Sequence, residues 1–214
     1  MPAARWGNVD EAIAEALPGV AVRHLTVPVV DHRTPDSVRA RLHYLGERLN
    51  GARALAMRSQ GVPFAYRLFF RKIGIDPDVD RTPVEQLVLE RLLAGGIPSR
   101  GLVADALAIA MLETGVALIA LDARPIAAEL ELREAKAGER LTTRERSIAL
   151  DPGTLVLASG GRPLAVLFGQ IAADAEVDEQ TQMVELCAIR VPGVPLLAVE
   201  EALWIAAETI AGES

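Results

Sequence analysis

Residues 102–122 read LVADALAIAMLETGVALIALD. The run is long enough to suggest a membrane span, and three residues argue against it. Asp105 and Glu113 would each cost roughly 2.5–3.5 kcal/mol near a bilayer centre, and Gly115 interrupts the run. The better solution is a helix over Leu102–Thr114, a stop at Gly115, and a buried strand over 116–122. This helix–stop–strand unit belongs in the interior of a folded core.

The chain has 214 residues, half of them apolar, which is ample for a core. Only 4% are aromatic, so Ala, Leu, Val and Ile must fill it. Net charge is −7 and the pI about 5.1. A protein that holds nucleic acid by general electrostatics should be basic, because phosphate neutralisation supplies most of that affinity. No bulk nucleic-acid binding is therefore expected, and RNA contact would need a local arginine patch. The single cysteine, Cys187, excludes an internal disulfide and a cysteine-rich zinc site. A reducing cytoplasm fits this usage. The first residues, MPAARWGNVDEAIAEAL, contain no apolar signal region.

An Asn or Asp cap precedes a short helix over 8–17, closed by Pro18-Gly19. Alternating Val20 and Val22, then Val27 and Val29, predict a strand over 20–30, with His24 interrupting the pattern. Val38, Leu42, Leu45 and Leu49 form the stripe of a second helix, which Asn50-Gly51 ends. Tyr66, Phe69, Phe70 and Ile73 share one face of a helix over 62–74. Thr82-Pro83-Val84-Glu85 is a capping-box signature opening a helix through Leu93. From Glu129 the pattern turns to strands, ELELREA, TLVLAS, PLAVLFG and QMVELCAIRV, separated by Gly- and Pro-containing turns. A helix over 199–210, with Trp204 in its stripe, closes the chain. Helices first and strands later predict an α+β fold with a mixed or antiparallel sheet and packed helices. Residues 116–121, 155–158, 164–168 and 183–189 are expected in one sheet.

Two segments together resemble the B3/B4 domain of the phenylalanyl-tRNA synthetase beta subunit, the part that proofreads mischarged tRNA. The first is FAYRLFFRKIGIDP with RTPVEQLVLERLLAGGIPSRGLVADALAIAML. The second joins the ETG turn at residue 113, the R-x-A-x-x-GE loop at Arg133–Glu139, LDPGTLVLAS and EVDEQT. They run from about residue 62 to 189, so the resemblance implies one domain over 1–214, with 8–50 and 199–210 packed on its core. It also implies an editing-type function: hydrolysis of mischarged aminoacyl-tRNA, or binding of its aminoacyl end. The implied partners are tRNA or an amino acid-like ligand, with no cofactor. The synthetase pattern has an Asn after the helix Asp, where this chain has Ala108. It has a His on the strand entering the loop, where this chain has Ile119. Its late-strand Glu, which recognises a tyrosine hydroxyl, is matched by Glu185, and its Gly-rich loop is reduced to Phe168-Gly169-Gln170.

The implied pocket is walled by the Asp105 helix, the 116–122 strand and the Glu185 strand. Glu185 and Asp105 would share one cavity, with Thr181 and Thr114 as further substrate contacts. Each acid has a plain alternative: Glu185 on the solvent face of its strand, Asp105 as a local cap near the helix start. Asp122 reads as a turn former, and Arg133 with Glu139 as a structural pair. Arg67, Arg71 and Arg100 are the candidate RNA contacts. Arg67 and Arg71, four apart and outside the aromatic face, also suit ion pairs with Asp76, Asp78 or Asp80. His24, His32 and His43 show no metal-ligand spacing. No serine lies in a nucleophile elbow, and neither Gly-Gly pair is followed by Lys-Ser/Thr. Two readings follow: an editing-type deacylase or aminoacyl-end binder, and a non-catalytic small-molecule or protein-binding module that kept the fold and lost the pocket. Ala108, Ile119 and the negative charge favour the second.

Overall fold

A computed structural model describes residues 3–59 and 61–212. In chain order the elements are β1 (Arg5–Trp6), β2 (Asn8–Val9), α1 (Glu11–Ala16), β3 (Ala21–Pro28), α2 (Asp36–Glu47), α3 (Gly51–Met57), α4 (Gly61–Lys72), α5 (Pro83–Ala94) and α6 (Leu102–Thr114). The strand-rich half follows: β4 (Leu118–Asp122), β5 (Leu130–Glu134), β6 (Arg140–Thr142), β7 (Ser147–Ala149), β8 (Leu155–Ser159), β9 (Arg162–Val166) and β10 (Met183–Arg190), closed by α7 (Leu196–Ala211). The class is α+β, with mixed and antiparallel sheets as expected.

The strands do not form the one sheet expected. They divide into a sheet of order β1-β3-β10-β4, a sheet of order β2-β5-β8-β9, and the β6–β7 hairpin. The first is antiparallel throughout, and the second gains its mixed character from the parallel pair β2–β5. The N-terminal segment belongs to both: Arg5 and Trp6 pair with β3, and Asn8 and Val9 pair with β5. Gly7 makes the step, and a Cβ there would stand 3.0 Å from the Leu130 carbonyl oxygen. Apolar periodicity places strands but not partners, which is why the division was hidden.

α7 packs against α6 and lies across β3 and β10. One buried cluster joins α6, both four-stranded sheets, α4 and α7, with Ile109, Leu121, Leu132, Leu157 and Leu186 fully enclosed. The 102–122 run behaves as its composition requires, all but five of its residues being buried. α6 stops at Gly115, which adopts φ +76°. A Cβ at that position would meet Pro63 Cδ at 2.9 Å, so glycine is needed both for the left-handed turn and for the approach of α4.

Three local expectations are corrected. Asn50 does not end α2 alone; its side chain accepts from the Arg53 N–H at 2.9 Å and caps α3, a helix not foreseen. The first helix begins after Asp10, which caps it, and Asn8 is in a strand. Trp204 is half exposed and lies outside the buried stripe of α7. The aromatic face of α4 is as expected. Tyr66, Phe69 and Phe70 are buried, and the Tyr66 hydroxyl donates to the Ile189 carbonyl at 2.5 Å. Phe168 joins them at ring distances of 5.1–6.2 Å, a packing that holds its backbone at φ +61°.

Candidate functional site

A cavity of about 610 Å³ lies between the first turn of α6 and the free edge of β4. Gly101 to Ala104 form one wall, Leu118 to Ala120 the second, and Glu176 to Glu179 with Ile171 the third; His32 and Arg100 also line it. Two of these walls are the ones the sequence implied. The third is not the Glu185 strand but the turn before it.

Asp105 builds the first wall without lining it. Its carboxylate accepts from the Arg100 N–H at 2.9 Å, the Ser99 hydroxyl at 2.5 Å and the Thr34 hydroxyl at 2.7 Å. The group is 2% exposed, so burial demands these partners, and together they tie the 99–101 turn and the loop after β3 to the helix. The Leu102 N–H donates to the His32 carbonyl, closing the same junction. Among the described residues no side chain caps α6, so the N–H groups of Val103 and Ala104 are left as first-turn donors at the cavity wall.

β4 is the outer strand of its sheet. Ile189 donates to Ala117 and Ala123 donates to Met183, so the main-chain groups of alternate residues Leu118, Ala120 and Asp122 point away from β10. The Asp122 N–H is taken by the Ala175 carbonyl at 2.8 Å. Those of Leu118 and Ala120 are at the cavity.

The acidic third wall is held by Asp122 and Thr181. Asp122 is fully buried, and the Thr181 hydroxyl donates to it at 2.5 Å while accepting from the Asp178 N–H at 3.0 Å. Burial pushes the Asp122 carboxyl up, but hydrogen bonds and charge from Arg124 and the Thr181 hydrogen bond outweigh it, and the group lies below the usual aspartate range. Glu176 pairs with Arg144 at 2.5 Å. Thr181 is therefore a strut behind the wall. Thr114 is also structural: its hydroxyl donates to the Ala110 carbonyl at 2.7 Å and accepts from the Val116 N–H.

The expected meeting of Glu185 and Asp105 in one cavity does not occur. Glu185 is buried, so the solvent-face alternative is excluded, but it lines a different space between the two sheets. The His24 Nδ1 and the Thr26 hydroxyl reach it at 2.5 and 2.6 Å. His24 escaped the sequence reading because it registers only as an interruption of the Val alternation; its register with Cys187 puts it on the face carrying Glu185. Cys187 lies beside them, its thiol pushed well up by burial and by the Glu185 charge. Ile119 lines the α6–β4 cavity as an apolar floor; Ala108 is buried within α6 and does not line it.

Arg67 cannot contact RNA. It is 3% exposed and donates to Glu85 at 2.8 Å and Asp78 at 2.7 Å. The ion-pair alternative with Asp78 is correct, and the error was to place Arg67 outside the packed face. Arg71 is exposed and 3.7 Å from Asp78. Arg100 is exposed, pairs with Glu90 at 2.8 Å, and lines the cavity. Arg133 and Glu139 form the structural pair foreseen, at 2.7 and 2.8 Å. Among the described residues no cluster of three His, Cys, Asp or Glu could hold a metal ion, and no helix is long and apolar enough to cross a membrane.

A family model described as the B3/4 domain matches residues 65–194. The phenylalanine–tRNA ligase beta subunit of Legionella pneumophila (strain Lens) is 30% identical over 138 residues, 64% of this chain and 17% of that protein. The beta subunit of Xanthomonas oryzae pv. oryzae (strain MAFF 311018) is 34% identical over 114 residues, 53% of this chain and 14% of its own length. The beta subunit of Neisseria meningitidis serogroup A is 34% identical over 128 residues, 58% of this chain and 14% of its own. The chain thus spans only a small part of these relatives. The α6–β4 cavity lies almost wholly within the matched residues, whereas β1 and β3 lie outside them.

Proposed function

The chain belongs to the B3/4 domain family, and on that premise we propose that it holds the aminoacyl end of a tRNA in the α6–β4 cavity and hydrolyses the aminoacyl ester. The observation that carries this reading is the opposition of charge across one apolar-floored space. Two uncapped N–H groups at the positive end of α6 stand on one side, and the Glu176–Glu179 turn on the other. An aminoacyl ester has the complementary form. Its ammonium group suits the acidic turn, its side chain suits Leu107, Leu118 and Ile119, and its carbonyl oxygen suits the Val103 and Ala104 N–H groups.

In the reaction a water oxygen bonds to the ester carbonyl carbon, and the negative charge that develops on the carbonyl oxygen meets those two donors. The bond to the terminal ribose oxygen then breaks, the water's proton ends on that oxygen, and the free amino acid and tRNA leave. Arg100 and His32, which line the cavity at the same end of α6, would meet the ribose and its phosphate. The Thr181 and Thr114 hydroxyls are engaged elsewhere, so positioning of the water falls to main-chain groups at Leu118 and Ala120 or to a carboxylate of the acidic turn.

The test is a panel of tRNAs, each mischarged with a labelled amino acid. Release above the buffer rate for some of them, lost in Ala104→Trp, is the expected result. Ala104 is exposed, so the bulky substitution fills the cavity mouth without disturbing the core. A panel cleaved equally by wild type and Ala104→Trp removes this cavity from the reaction. A second reading, a module that binds the same end without cleaving it, is favoured by Ile119, which puts an apolar side chain where a polar one would help orient water. Tight binding of a non-hydrolysable aminoacyl amide, with no turnover of the matching ester, decides for it.

A further inference from the structure

The α6–β4 cavity separates polar from apolar surface by depth. Its buried lining residues, Leu102, Val103, Leu107, Leu118 and Ala120, are all apolar. Ile119, Ile171 and Val177 extend that surface, partly buried against the same core. The polar side chains that line the cavity, His32, Arg100, Glu176, Asp178 and Glu179, are all exposed or half-buried. Among the described residues, no buried polar side chain lines it.

The buried polar groups behind the walls are engaged with one another. Asp105 accepts from Thr34, Ser99 and the Arg100 N–H, and Asp122 accepts from Thr181 and Arg124. Neither acid lines the cavity, and Glu185 lies in the space between the sheets with His24 and Thr26. The open main-chain groups of Leu118 and Ala120 are also at the cavity, where the proposed reaction can place its water. A ligand side chain that passes the rim therefore leaves water for aliphatic walls. Methyl and phenyl groups gain by that transfer. A hydroxyl that loses its water and finds no new partner is penalised.

Resting on the aminoacyl reading of this cavity, we propose that it selects among aminoacyl ends by polarity. It takes amino acids with purely hydrocarbon side chains and discriminates against those that add a hydroxyl: threonine against valine, tyrosine against phenylalanine. Ile119 and Val177 are the specificity-determining residues. They stand on two different walls, β4 and the acidic turn, and each puts a branched hydrocarbon where a polar side chain would give the hydroxyl a partner. Valine and threonine form the sharper pair, because they share a shape and differ in polarity.

Four adenosines, carrying valine, threonine, phenylalanine or tyrosine through a non-hydrolysable 3′-amide, are titrated into the full chain by calorimetry. The valyl compound should bind about ten- to a hundredfold more tightly than the threonyl one, the range open to an apolar pocket. The phenylalanyl compound should likewise bind more tightly than the tyrosyl one. Ile119→Thr and Val177→Thr keep a β-branched side chain and add a hydroxyl, so the valine–threonine gap should narrow severalfold. Val177 is on a turn, so its variant remains readable even if Ile119→Thr does not fold. Equal affinities within each pair, tighter binding of the hydroxylated members, or a gap unchanged in both variants overturns the selection and leaves the cavity as the aminoacyl site. A preference that survives in Ala104→Trp lies elsewhere on the protein and overturns it too. Saturable binding of none of the four removes the aminoacyl reading of the cavity and this inference with it.

Discussion

Glu185 is a charge placed among apolar neighbours, Val184 and Leu186, on a strand buried along most of its length. Burial alone would expel the charge; hydrogen bonds from His24 and Thr26, with the charge of Arg5 nearby, retain it and hold the carboxyl below its ordinary value. The consequence for stability has a definite sign. The unfolded chain binds the proton first as pH falls, so the stabilisation is complete above the unfolded value of about 4.3 and is lost as pH drops through the lower folded value. Glu185→Gln should therefore differ most from wild type above about pH 5, and the difference should shrink toward pH 3. Urea midpoints across that range measure it. A gap of constant size would mean that the carboxyl titrates alike folded and unfolded. Asp122, also held low despite burial, should contribute to the same acid limb.

At the scale of elements, α5 shows what a local signature can and cannot foretell. The capping box at Thr82 and Glu85 was legible, and it forms: Glu85 Oε2 reaches the Thr82 N–H at 3.4 Å and accepts from its hydroxyl at 3.1 Å. What the signature did not disclose is that the other Glu85 oxygen takes Arg67 from α4. The cap is thus one end of a buried network, and the two ends should not be equal. Thr82→Ala should cost about 0.5–2 kcal/mol, as an ordinary cap does. Arg67→Ala leaves a buried carboxylate without its main cation and should cost about 3–5 kcal/mol. Denaturant titration of both variants checks the order. Equal losses would make the α4–α5 ion pair no more than a surface contact, and an unchanged midpoint for Thr82→Ala would remove it from the cap.

For the whole molecule, charge sets the terms of any encounter with RNA. The net charge is −7, and the two exposed arginine candidates each stand beside an acid: Arg71 near Asp78 and Arg100 with Glu90. With Arg67 buried, no continuous basic track can be assembled from the residues first considered. Random-sequence RNA should bind weakly, with affinity falling steeply as salt rises. Filter binding or fluorescence anisotropy at two salt concentrations measures this. Tight binding at physiological salt would reveal an arginine surface elsewhere, and the mouth of the α6–β4 cavity around Arg100 is the first place to map it.

Short-range physics made much of this protein readable from its residues. The apolar run, the Gly115 stop, the box at Thr82 and the aromatic face of α4 each depend on neighbours a few positions apart, and each is in place. Glu185 was singled out with its burial left open, and it is buried. Its company was not legible, because His24 stands 161 positions away and Thr26 159, and only the β3–β10 register brings them within hydrogen-bond reach. Asp105 was left between a ligand contact and a local cap; it accepts from the Arg100 N–H and the Ser99 hydroxyl as a local cap does, and folding added Thr34 from 71 positions away. The split into two sheets was decided likewise by pairing. Alternation tells a strand which face to bury, but strand order is chosen by long-range contacts, and those place Glu185 and the α6 N-terminus in separate cavities.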